Sequence, residues 1–306
     1  MISLFRFSLL SVRTVCYNSV INVGRSYYNV GDFVISDCSF FRSGTLSGYG
    51  GVVLISMVSS SMTVKDSMFV GCHVDGWGGA IYFNCTGLGE SLISRVCSYN
   101  CSAYASCFSF THVSPFRMND HCYVSVVRSG SPTSYRPISP GYGNIGITYS
   151  NISLSTAYAV SGMRVDSTNS FTCMFCTFAH NFAAFETCIR VLNVSGTISF
   201  CNIAHNNSPQ SGVITLHDGS NLLIESCIIY GNTDSLSFVF SSSICFNNSK
   251  ISHNGFQPAG NNQYSKYPSL EIPHFRSHYC HADIYITKEN KYLVRFQLFG
   301  IMLFLK

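Results

Sequence analysis

One short pattern recurs nine times along the chain: an apolar residue, two spacers, a small residue, one spacer, a second apolar residue, two spacers, then Asn, Ser, Cys or Gly. The clearest copies are Cys173, Cys176, Phe178, Asn181; Ile198, Cys201, Ile203, Asn206; Ile224, Cys227, Ile229, Asn232; and Phe246, Ser249, Ile251, Asn254. Looser copies start at Ile35, Val64, Ile93, Cys122 and Ile147, so successive starts lie 29, 29, 29, 25, 26, 25, 26 and 22 residues apart. A period of about 20 to 50 residues marks stacked supersecondary units that bury a continuous core only together.

Each copy is followed by a second strand-like run opened by small residues: Gly50-Gly51-Val52-Val53, Gly78-Gly79-Ala80-Ile81, Ser106 to Phe110, Thr187 to Val191, Ser211 to Leu216 and Ser237 to Phe240. Alternation with period two inside these runs reads as strand. Two strand segments per unit, joined by Gly, Ser and Asn turns, predict an all-β fold, a parallel β-helix of about nine coils over residues 33–254. Backbone hydrogen bonds then run along the long axis at about 4.8 Å per coil, and equivalent side chains pile into columns. Asn181, Asn206, Asn232 and Asn254 form one such column, in which buried amides bond to one another or to turn backbone. Residues 1–32 read as an N-terminal edge or weak first coil, and 255–306 as an irregular C-terminal segment. The stretch 129–146, with three prolines and four glycines, reads as a loop insertion, and Tyr135, Arg136 and Tyr142 on it are candidate binding residues.

Composition narrows the class. Only 10% of residues are charged while 46% are hydrophobic, which excludes a disordered chain. A net charge of +4 without any Lys/Arg run excludes a nucleic-acid footprint. Among the fifteen cysteines, Cys38, Cys97, Cys176, Cys201 and Cys227 sit on or beside the ladder, where a reduced thiol serves as a small hydrophobe. The N-terminal apolar stretch, broken by Arg6 and Arg13, is a poor secretory signal. The apolar run 296–305 is half the length of a spanning helix and leaves membrane association through the C-terminal end as an expectation.

The tetrads FAHN at 178–181, IAHN at 203–206, IYGN at 229–232 and ISHN at 251–254, in phase with GGVV at 50–53 and GGAI at 78–81, resemble the repeats of chlamydial polymorphic outer-membrane proteins and of related protist surface proteins. The resemblance covers about residues 33–254 and implies a right-handed β-helix of the pectate-lyase-like kind, displayed at the cell surface or outside the cell and used in adhesion. The chain departs from the family pattern where Ser43, Cys72, Cys101 and Gly130 stand in place of Asn.

Chemistry is sparse. Polygalacturonases carry Asn-Thr-Asp, a paired Asp-Asp and Gly-His-Gly; here Asn232-Thr233-Asp234 matches the first element only, and glycoside hydrolysis needs two placed carboxylates. No catalytic residues and no cofactor are therefore expected. His180, His205 and His253 share one ladder position, two of them in adjacent coils, but two imidazoles without further ligands make a poor metal site. His274, His278, Cys280, His281 and Asp283 lack a second Cys/His pair. Cys173 and Cys176 have redox spacing without a helix to activate a thiolate, so both sulfurs are expected in the core. Of the sequons at Asn84, Asn100, Asn151, Asn193, Asn206 and Asn247, Asn206 is expected to be interior. The function expected is non-catalytic binding of host or extracellular macromolecules. The alternatives are a polysaccharide lyase or glycoside hydrolase, or a structural fragment of a larger surface protein.

Overall fold

The computed structural model describes residues 14–17, 21–23, 31–45, 48–232, 237–239 and 242–252. They form strands and turns with no helix, and every strand pairing is parallel. The chain winds as a parallel β-solenoid of about eight turns. Ile35, Val64, Ile93, His121, Ile147, Cys173, Ile198, Ile224 and Phe246 lie over one another through eight successive pairings. At the fourth rung the residue in the column is His121, not Cys122: Ile93 faces His121, and Cys122 faces Ser94. Cys122 resembles the small apolar residues of the other rungs, but parity along the strand turns it outward, because neighbouring side chains point to opposite faces.

Each rung bends at a residue with φ between 47° and 55°: Asp37, Asp66, Arg95, Tyr123, Tyr149, Phe175, Phe200, Ser226 and Asn248. None is β-branched, as this left-handed region requires. Such a conformation costs about 1 kcal/mol per residue, and it leaves the next N–H pointing along the solenoid. The small residue of the pattern satisfies it. Cys38 N–H donates to Ser67 Oγ, Val124 N–H to Ser150 Oγ, Cys176 N–H to Cys201 Sγ, Cys201 N–H to Cys227 Sγ and Cys227 N–H to Ser249 Oγ. Cys and Ser interchange here because each is small, accepts from that N–H and donates back to a carbonyl, as Cys227 Sγ does to Ile198 O and Ser249 Oγ to Ile224 O.

A second column of left-handed turns follows at Arg42, Gly71, Asn100, Arg128, Leu154, His180, His205 and Gly231. The expected Asn column lies just beyond it. Asn181 Nδ2 donates to Asn206 Oδ1 at 3.0 Å, and Asn206 Nδ2 to Asn232 Oδ1 at 3.1 Å. The same oxygens accept the backbone N–H groups of Asn181 and Asn206. Cys72, Cys101 and Ser155 stand in that column in earlier coils, and the two thiols donate to Phe40 O and Phe69 O as Asn206 Nδ2 does to Phe178 O. In the fourth coil the column residue is the fully buried Ser129, one place before the expected Gly130. Asn254 lies outside the described residues.

The opposite wall is a nine-stranded parallel sheet running from Ile21–Val23 to Ser237–Val239. Val53, Ile81, Ile138, Met163, Ile189 and Ile214 face inward from it. The paired glycines are required at its corner: Gly50 and Gly78 have φ of 64° and 71°, and a Cβ on Gly51 would lie 2.1 Å from Gly79 O. Residues 129–146 are not a protruding loop. They supply strand Arg136–Gly141, buried at every position, and most of Asn144–Thr148. Pro137 and Pro140 break the usual rule against prolines inside sheets. The strand forms because Ile138 fills the column between Ser109 and Met163, and a register shift between Ser106 and Ser109 absorbs the irregularity.

At the N-terminal side, Thr14–Tyr17 and Ile21–Val23 pair in parallel with the first full coil. No helix among the described residues is long and apolar enough to cross a membrane. The apolar run 296–305 and the His/Cys group 274–283 lie outside the described residues.

Candidate binding face and buried thiol cluster

Because equivalent residues stack, the outside of the solenoid carries side chains in rows, and two aromatic rows differ in what they expose. Tyr123, Tyr149, Phe175 and Phe200, borne on the first left-handed turn, stack at 4.8, 5.0 and 5.2 Å with planes within 11°. Each ring face between the ends of this row is covered by the next ring, so the row stabilises the turn and offers edges to solvent. Tyr104, Tyr135, Tyr158 and Phe185 instead line the margin where the nine-stranded sheet begins. Tyr104 meets Tyr135, and Tyr135 meets Tyr158, edge to face at 5.1 and 6.0 Å. Tyr104, Tyr158 and Phe185 are 56%, 42% and 46% exposed. Tyr158 and Phe185 stack at 5.5 Å with planes 2° apart and cover one face of each other, whereas the edge-to-face pairs leave ring faces of Tyr104 and Tyr135 open, which is what a sugar or another ring stacks on.

Beside this row, on the outer face of the sheet, lies a strip of arginines. Arg164 Nε donates to Asp166 Oδ1 at 2.8 Å, and Arg190 is paired with Glu186. Arg136 has no carboxylate partner among the described residues. It is 5% exposed, its Nε has no hydrogen-bond partner, and its guanidinium carbon sits 5.1 Å from the Trp77 ring centroid. Burial, reinforced by Arg164 and offset in part by Asp166, brings its pKa down to about 10, so it stays charged at neutral pH. Three guanidinium groups against two carboxylates leave the strip one positive charge in excess. Trp77, Tyr82 and Phe110 continue it, with Tyr82 and Phe110 stacked at 5.0 Å.

The three binding candidates of the sequence take different places along this face. Tyr135 joins the open aromatic row, Arg136 lies in the strip against Trp77, and Tyr142 stacks at 4.3 Å on His112, which meets Phe110 of the strip edge to face at 6.3 Å. Sequence reasoning missed Tyr104, Tyr158 and Phe185, whose one available signal was an aromatic recurring one or two residues before each second strand. Asp234 and His253 lie outside the described residues. His180 and His205 stack at 5.0 Å, and the His205 ring also lies against Gly231, where a Cβ would sit 2.5 Å from Nδ1. No third metal ligand joins them among the described residues. Asn206 is fully buried, and the other sequon asparagines are partly or fully exposed.

Among the described residues, nine buried cysteines are free thiols. Cys97 is disulfide-bonded and packs with Val70 and Tyr99 in a small separate cluster, not in the main core. Within the core, the sulfurs of Cys173, Cys176 and Cys201 lie within 4.8 Å of one another. Hydrogen bonds that the Cys173 thiol donates to Cys176 and Cys201, with burial, push its pKa up. Burial also opposes a thiolate at Cys176, but hydrogen bonds from the Cys173 and Cys201 thiols outweigh it and hold its pKa below the ordinary thiol value. No protein-family model, curated protein or solved structure matches the chain.

Proposed function

We propose that this chain is a non-catalytic, surface-associated β-solenoid that binds an extended acidic glycan along its long axis. The carrying observation is Arg136, a buried guanidinium without a carboxylate partner, set beside a row of tyrosines with open faces. A rigid wall repeating at about 4.8 Å suits a polymer whose own units repeat at a similar step. Open rings supply stacking and the excess positive charge supplies attraction for carboxylate or sulfate groups. Asp166 and Glu186, the carboxylates on this face, are each held by an arginine, which suits a charged scaffold better than the free proton donor that glycoside cleavage needs. Display at the surface and a role in adhesion, with a right-handed coil, follow from the repeat resemblance.

The test is calorimetric titration of the intact chain with galacturonate oligomers and, separately, with neutral glucose oligomers of equal length. The acidic series is expected to bind at least tenfold tighter, and Tyr104→Ala is expected to weaken it about tenfold, one lost stacking contact. Equal binding of both series, or an unaffected Tyr104→Ala, would refute the reading.

A further inference from the structure

The small-residue column accounts for Cys176 and Cys201 but not for Cys173. In that column Ser67, Ser150 and Ser249 do the same work as the cysteines, so a thiol there needs no function beyond the turn. Cys173 occupies a different column, filled by Ile147 and Ile198 in the adjoining coils. Its sulfur has no oxygen partner; it lies 3.9 Å from the Cys201 sulfur and within 4.8 Å of the Cys176 sulfur. The result is three sulfurs converging inside an apolar core, at full burial, with no carboxylate or imidazole among them.

We propose that Cys173, Cys176 and Cys201 form a binding site for one copper(I) ion. Three soft donors without a fourth ligand suit a monovalent d10 ion better than zinc, whose structural sites take four ligands. A trigonal centre bonded to three sulfurs at about the 2.3 Å typical of metal–thiolate bonds holds those sulfurs about 4 Å apart, close to the separation the fold imposes. Charge balance supports the same ion. Cu⁺ displaces one proton of the trio to solvent as a Cu–S bond forms, while the other two sulfurs donate lone pairs. The core then stays neutral, as burial in a medium without countercharge demands. Copper remains in the +1 state, so no electron is transferred.

The experiment uses the full chain, reduced and kept under nitrogen, titrated with the acetonitrile complex of copper(I) in competition with bicinchoninate. Because the site is closed to solvent, the ion is supplied both to folded protein and during refolding from urea. The expected result is one tightly held equivalent under at least one of these conditions, with a rise in the thermal midpoint. Cys173→Ile, which restores the residue of the adjoining coils, and Cys201→Ser, which keeps the turn's hydrogen bond, are each expected to weaken that equivalent at least a hundredfold and to abolish the thermal shift. Cys227→Ser, one coil beyond the trio, is expected to change neither. The proposal is overturned if the wild type fails to compete with the chelator under both conditions, if Cys173→Ile and Cys201→Ser both retain the tight equivalent, or if Cys227→Ser loses it as fully as they do.

Discussion

His121 fills the column position that Ile93 and Ile147 hold in the coils on either side, with no exposed surface. Its Nε2 lies 3.5 Å from Ser109 Oγ, and Nδ1 has no hydrogen-bond partner. Burial lowers its pKa from 6.5 to about 4, so the folded chain keeps the ring neutral where the unfolded chain protonates it. Below pH 6.5 the unfolded state binds the extra proton, and stability falls as pH drops towards 4, by about 3 kcal/mol over the whole window. Above pH 6.5 the residue contributes no slope. Urea unfolding at pH 7, 5.5 and 4 is expected to show this loss in the wild type and a flatter profile in His121→Ile. Parallel profiles would remove His121 from the account. The residue was legible in the chain as a histidine, but its interior position was not. The tolerant pattern accepted Cys122 one place later, and only strand pairing fixes which of two neighbours faces in.

Among the elements, the asparagine column and the Cys/Ser column were readable in advance, because both repeat with the period of the fold. What each does chemically emerged from the turns they serve. Asn206 accepts from Asn181 Nδ2 and from its backbone N–H, and donates to Phe178 O and Asn232 Oδ1. Asn206→Leu is expected to cost about 2 to 4 kcal/mol, since several buried polar groups lose partners at about 1 kcal/mol or more each. Cys227→Ser should cost under about 1 kcal/mol, given that Ser249 holds the next place in its column. Denaturant midpoints of the two variants check the contrast, and similar losses for both would contradict the assigned roles. The strand Arg136–Gly141 escaped the sequence for the opposite reason. Two prolines and flanking glycines carry a strong local turn signal, which the burial of Ile138 in the long column overrides.

Across the molecule, each coil touches only its neighbours, so stability is close to a sum of coil and interface contributions, and opening can begin at the ends. Hydrogen exchange followed by mass spectrometry is expected to show the strongest protection between residues 91 and 204, declining toward the described ends. Uniform protection lost in a single step would show instead that the solenoid unfolds as one cooperative body. The period of the ladder, its apolar spacing and its polar column by themselves determined the solenoid, because a pattern repeated nine times averages out local exceptions. The tyrosine row, the Arg136 guanidinium set on Trp77 without a carboxylate, and the thiol trio were decided by tertiary structure alone. Each depends on which side chains from coils 22 to 31 residues apart end up opposite one another, and a one-residue change of register turns every such side chain to the other face.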